Sequence, residues 1–170
     1  GFVGTNLSKA LAPKHSLYGL DIISPENTHV VETFSWSSIQ AHDLPAIEAM
    51  IHLAGKAHDT KNTTEEQAYY DINVGLTKTI FEKFLASNAT TFIYFSSVKA
   101  VADSVSGQYV TEEDLPKPGT AYGKSKLEAE RYLNDRLGEW EKGRKDRHSE
   151  RSEESHPILT DPSQAQDDTK

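Results

Sequence analysis

The chain has 170 residues, enough for one domain with its own core, and a net charge of −8. That charge leaves no basic footprint for nucleic acid or an anionic membrane, and no apolar run approaches a membrane span. Cysteine is absent, which excludes disulfides, thiolate metal sites and a cysteine nucleophile and suits the cytoplasm.

The chain opens on Gly1 rather than Met, inside a motif, so a preceding segment is expected upstream. Gly1, Phe2, Val3 and Gly4 lead into a helix in which Val3, Leu7, Ala10 and Leu11 recur at helical spacing until Pro13 stops it. Residues 16–21 are a short apolar run that reads as a buried strand ending at Asp21, with Ile22 and Ile23 just beyond. Residues 29–34 suggest a third strand, 44–48 a short helical turn, and 49–54 a buried strand closed by Gly55.

A long helix is expected over 64–87, capped by Thr63 or Thr64, with Tyr69, Ile72, Leu76, Ile80 and Phe84 as its apolar stripe. A strand follows at 91–95, leading to Ser96 and Ser97. Then come a polar loop over 98–119 and a helix over 122–137 with Leu127, Tyr132 and Leu133 on one side. Strand alternating with helix argues for an α/β fold with a parallel sheet. From Glu141 to Lys170, 14 of 30 residues are charged and only Ile158, Leu159 and Ala165 are apolar. Such a segment cannot bury enough surface to offset its ordering entropy, so 141–170 reads as a disordered tail and 1–140 as the domain.

Several positions carry chemistry. Glycines at a helix start, here Gly1 and Gly4, let the backbone approach a pyrophosphate that the free N–H groups and the helix dipole attract. Asp21, at the end of the next strand, can accept both hydroxyls of a ribose and would repel a 2′-phosphate, which favours NAD over NADP. Leu53, Ala54 and Gly55 end a strand in mostly small residues, over which a flat cofactor can lie. His52, His58 and Asp59 fit no metal-ligand spacing, so no metal is expected. Tyr122 and Lys126, four apart on a helix, share a face. A lysine ammonium beside a phenol favours the phenolate, which can take a proton from a hydroxyl while hydride leaves the same carbon. Ser97, at a strand end, can hydrogen-bond the same oxygen. Asn73, on the long helix, can order water or backbone near the lysine.

Taken in order, Gly1-Phe-Val-Gly4, Asp21, His52-Leu-Ala-Gly55, Tyr70-Asp-Ile-Asn-Val-Gly75, Phe95-Ser-Ser-Val-Lys99 and Ala121-Tyr-Gly-Lys-Ser-Lys-Leu-Glu-Ala-Glu130 resemble the extended short-chain dehydrogenase/reductase family, specifically its NAD-dependent epimerase/dehydratase group. The resemblance covers residues 1 to about 137. It implies a Rossmann-type, doubly wound parallel sheet holding NAD, with Ser97, Tyr122 and Lys126 as catalytic residues and Asn73 in support. It implies Gly1, Phe2, Val3, Gly4, Asp21, Ile22, Leu53, Ala54, Gly55, Tyr122 and Lys126 around the cofactor. It also implies a nucleotide diphosphate sugar as substrate, with C4 oxidised to a ketone, and homodimers among intact relatives.

Two departures stand out. Sugar 4,6-dehydratases resemble this pattern but carry a carboxylate pair where this chain has Val98 and Lys99, which points instead to a 4-epimerase or 4-keto-sugar reductase of bacterial surface-polysaccharide synthesis. The family's first strand and its C-terminal sugar-binding region are absent from the sequence. In the strand order 3-2-1-4-5-6 the first strand is central, so the sheet is expected to split and expose two edges. The alternatives are a carbonyl reductase acting on a non-sugar substrate and a catalytically inactive remnant.

Overall fold

The computed structural model describes residues 1–22, 29–35, 45–57, 65–104 and 107–153, with side chains through 143. Helix α1 (Phe2–Leu11) is followed by strands β1 (Tyr18–Asp21), β2 (Glu32–Ser35) and β3 (Ala49–His52). Next comes one continuous helical stretch: α2 (Glu66–Tyr70), a π-helical turn (Asp71–Leu76) and α3 (Thr77–Ala86). Strand β4 (Thr91–Tyr94), a 3₁₀ turn (Val98–Ala100) and helix α4 (Ala121–Glu153) complete the chain.

The strands pair as two parallel two-stranded sheets, β1 with β2 and β3 with β4. A Rossmann order lacking its first strand divides in this way: the family's strands 2 and 3 stay together, and so do its strands 4 and 5. Among the described residues nothing pairs with the second edge of β1 or of β3. Each edge is only four residues long, shorter than the sequence suggests. The two sheets share one core. Met50, Ile80, Phe81 and Phe84 are its buried centre, with Leu20 of β1, Phe92 of β4, and Tyr132 and Leu133 of α4 packed against it. Phe92 meets Phe81 edge-on at 4.9 Å and Phe84 at 5.2 Å, geometries that add to the area buried.

The helix faces differ from the expected stripes. On α1 it is Gly4, Leu7, Ser8 and Leu11 that turn inward, while Val3 and Ala10 are exposed. On the long helix Ile72 is 39% exposed, whereas Asn73, Val74, Thr77, Ile80, Phe81 and Phe84 are buried. The π turn is the reason: its wider winding shifts the register, so a stripe counted at 3.6 residues per turn does not carry through it. The same shift carries Asn73 into the interior. Residue Glu65 precedes the first helical turn, and Thr63 and Thr64, expected as caps, lie outside the described residues. The helical turn expected at 44–48 does not form over 45–48. There the carbonyl of Glu48 accepts from Thr90 N at 2.9 Å and Thr91 N at 3.3 Å, feeding the chain into the β3–β4 pair.

The chain divides into two compact units, Gly1–Leu133 and Asn134–Lys170. In the second, α4 continues to Glu153, into the segment read as a tail without order. Glu, Lys and Arg are good helix formers, which local propensity explains without any buried face. An exposed Arg136–Glu139 pair at 3.8 Å adds little. Residues 154–170 lie outside the described residues.

Candidate active site

The sites of open α/β sheets form at the carboxyl ends of their strands. Here those ends carry Asp21 and Ile22 after β1, Leu53 to Gly55 after β3, and Phe95 to Ser97 after β4. Helix α1 starts beside them. Gly1 is its N-cap and offers no side-chain cap, so the first N–H groups have no intrahelical acceptor. A Cβ on Gly1 would meet nothing within 4 Å, and one on Gly4 would meet only Leu53 Cδ1 at 3.6 Å, an ordinary contact. Packing within the chain therefore does not require glycine at either position, whereas close approach of a phosphate group does. Gly4 and Leu53 are thus brought together. Phe2 and Val3 are exposed on the first turn of α1. Asp21 Oδ1 accepts from Ile22 N at 2.7 Å, which holds the carboxylate at the strand end.

Asn73 is the hub of the interior. Its Oδ1 accepts from Lys56 N at 2.7 Å, and its Nδ2 donates to Lys56 O at 3.1 Å and to Ser125 Oγ at 2.9 Å. Ser125 Oγ in turn donates to Tyr122 O at 2.8 Å. One amide thereby ties the loop after β3 to the first turn of α4, which carries Tyr122 and Lys126. Gly55 permits this, because a Cβ there would come within 3.2 Å of Asn73 Oδ1. Ala54 is half-buried between Leu53 and Gly55 on the same loop.

Beneath the site lies a second polar cluster. Thr77 Oγ1 donates to Asn73 O at 2.7 Å and contacts His52 Nε2 at 2.9 Å. The single hydroxyl proton goes to Asn73, so His52 must carry its proton on Nε2 and donate it. Burial, and then the charge of Lys126, hold the His52 imidazole down at about 4, so it is neutral near pH 7. His52 and Tyr94 are register partners, and their rings stack at 5.7 Å.

Lys126 is almost wholly buried. Its ammonium donates to Phe95 O at 2.6 Å and sits 4.1 Å from the centre of the Tyr94 ring. Burial brings it down to about 8, against an upward pull from Glu130. Tyr122 lies one helical turn earlier, half-buried, with its ring 6.3 Å from that of Tyr69. Ser97, two residues beyond Phe95, caps the 3₁₀ turn by accepting from Lys99 N at 3.3 Å. Ser96 instead donates to Glu130. The strand end that holds the Lys126 ammonium through Phe95 O thus also carries Ser97. Asp103 secures the start of α4: it accepts from Gly119 N and from Thr120 Oγ1, the latter at 2.9 Å, and those bonds hold its carboxyl below the ordinary range.

The sequence model of the NAD dependent epimerase/dehydratase family matches residues 1–139. The chain belongs to that family. A UDP-glucose 4-epimerase of Vibrio cholerae is 29% identical over 146 residues, covering 78% of this chain and 43% of its own length. One of Yersinia pestis is 32% identical over 89 residues, covering 52% and 26%. Among solved structures, MoeE5 in complex with UDP-glucuronic acid and NAD matches with a TM-score of 0.65 at 25% identity, over 78% of this chain and 45% of that one. The UDP-glucuronic acid 4-epimerase of Bacillus cereus in complex with NAD matches at 0.60 and 25%, over 77% and 47%. The chain spans less than half the length of these relatives.

In this epimerase/dehydratase chain, sequence reasoning missed Thr77, Ser125, Tyr94 and Gly123. A Cβ on Gly123 would collide with the Lys99 carbonyl oxygen and stand 2.9 Å from Pro118 Cβ, so only glycine lets α4 approach the loop after β4. A signal existed for Tyr94: strand alternation places it with Phe92 on one face. Ser125 had none, since a serine between two functional residues of a helix looks like surface.

Proposed function

We propose that the chain carries the catalytic half of an NAD-dependent nucleotide-sugar 4-epimerase or 4-keto-sugar reductase. The observation that carries this reading is the buried Lys126 ammonium at the β4 strand end, one turn from Tyr122 and fixed through Ser125 and Asn73. The uncapped first turn of α1, the bare backbone at Gly1 and Gly4, and the carboxylate of Asp21 form a donor set that fits a dinucleotide's pyrophosphate and ribose. NAD+ bound there supplies the hydride acceptor for the sugar's C4.

The chain's own residues supply the rest. Tyr122 Oη takes the proton of the C4 hydroxyl, and the positive Lys126 favours the phenolate that does so. The Ser97 hydroxyl donates to the same oxygen as it becomes a carbonyl. Val98 and Lys99, in place of an acid pair, leave no carboxylate for elimination across C5 and C6. The relatives act on or bind UDP-sugars, which makes UDP-glucose and UDP-glucuronic acid the first substrates to try. A role in bacterial surface-polysaccharide synthesis, a cytoplasmic location and a homodimeric assembly belong to the same proposal.

The test is incubation with NAD+ and each UDP-sugar, following configuration at C4 by NMR. Inversion at C4, or reduction of a 4-keto sugar when NADH is supplied, is expected and should disappear in Y122F. Absence of both turnover and NAD-dependent thermal stabilisation would remove the reading. The divided sheet favours a second one, a dinucleotide-binding chain without turnover, for which stabilisation by NAD without chemistry is the signature.

A further inference from the structure

Tyr94 belongs to no part of the chemistry assigned above, yet its ring lies against the charge on which that chemistry depends. Its ring lies 4.1 Å below the Lys126 ammonium. Its hydroxyl is buried beside Thr77, whose own proton goes to Asn73 O. What Tyr94 presents to Lys126 is its ring face. Phe95 O accepts a hydrogen bond from Lys126 Nζ at 2.6 Å. Lys126 is only 4% exposed, so ring and carbonyl replace most of its water.

We propose that Tyr94 is a positioning residue whose ring face holds the Lys126 ammonium, charged and aimed at the carboxyl end of β4, by a cation–π contact. The inference rests on the catalytic role given to Lys126 but adds a residue to it. Electrostatic attraction between an ammonium and the negative face of an aromatic ring strengthens as water is excluded. The other titratable groups coupled to Lys126 are Glu130 on α4 and His52 on β3. Glu130 is bonded to Ser96, and His52 is neutral near pH 7, so Glu130, the Phe95 carbonyl and the Tyr94 ring counter the desolvation of the ammonium.

The experiment uses the whole chain with carbon-13 lysine, following the Lys126 Cε resonance against pH, assigned by its loss in K126M. The wild-type midpoint is expected at about 8. Tyr94→Phe keeps the ring and should leave the midpoint in place. Replacing residue 94 with mono-, di- and trifluorinated phenylalanines keeps the shape but drains the ring face, and the midpoint should fall stepwise. The expected total is roughly one pH unit, a tenfold shift in the protonation equilibrium. A flat fluorine series would overturn the proposal, and so would a shift caused by Tyr94→Phe alone, which would assign the effect to the hydroxyl. The titration needs neither NAD nor sugar. Its failure therefore removes the role of Tyr94 alone, while absent turnover would remove the catalytic reading and leave the contact standing.

Discussion

Replacing Asn73 with aspartate exchanges one NH2 group for an oxygen and should cost the domain much of its stability. Aspartate keeps the oxygen that accepts from Lys56 N but loses both donations of the amide, to Lys56 O and to Ser125 Oγ. Ser125 cannot compensate by turning its own proton around without abandoning Tyr122 O. Each buried group left without a partner costs roughly 1–3 kcal/mol, and the new carboxylate oxygen faces a carbonyl where it had bonded before. Allowing for relaxation, the expected loss is about 3 kcal/mol. Urea unfolding followed by circular dichroism at neutral pH measures it, with Ile72→Ala as the control. Ile72 neighbours Asn73 on the same π turn but is exposed, so its truncation should cost less than about 0.5 kcal/mol. An Asn73→Asp loss below about 1 kcal/mol, or an Ile72→Ala loss larger than it, would refute the reasoning and restore the regular helical stripe.

Glycine substitutions separate packing from ligand approach. Gly4→Ala should leave thermal stability nearly unchanged, because a Cβ there makes an ordinary contact, while abolishing stabilisation by added NAD; calorimetry with and without the dinucleotide checks both. Gly123→Ala should destabilise by about 1–3 kcal/mol, since the added methyl must displace the Lys99 backbone, whereas Gly138→Ala, with nothing within 4 Å, should stabilise α4 by roughly 0.5–1 kcal/mol. Stability should also fall with acid. The folded protein holds His52 at about 4 against 6.5 unfolded, so between those values the unfolded chain binds a proton that the folded one refuses. The slope is at most about 1.4 kcal/mol per pH unit, and it should be absent from His52→Gln, whereas an equal slope in wild type and variant would show that His52 is not its source.

The alternation of elements was legible because long apolar periods and Gly, Pro and Ser boundaries are local signals. Strand pairing followed from topology: in the order 3-2-1-4-5-6 the family's strands 2 and 3 are neighbours, as are its strands 4 and 5, and β1 pairs with β2 and β3 with β4. Asn73, Tyr122 and Lys126 could be singled out as candidates because residue type and spacing suggest their chemistry. What sequence left hidden depends on geometry that no local count contains. The π turn moved Ile72 outward and Asn73 inward by changing the winding of one turn. Thr77, Ser125 and Tyr94 matter because of partners 25 to 52 residues away or across a strand pair, and Gly123 because of a backbone on a different element. The helical continuation of α4 to Glu153 shows the opposite limit: composition argued against order, while local propensity favours a helix.

The central claim is that Tyr122 removes a proton as hydride leaves the same carbon, with Lys126 beside it. The most direct measurement is the single-turnover rise of NADH absorbance after mixing the NAD+-loaded protein with UDP-glucose or UDP-glucuronic acid, wild type against Y122F. The account predicts a signal in the wild type and a fall of roughly 10²- to 10⁴-fold in the variant. Equal rates in the two proteins, or no NADH from the wild type with any UDP-sugar despite bound NAD+, would contradict it.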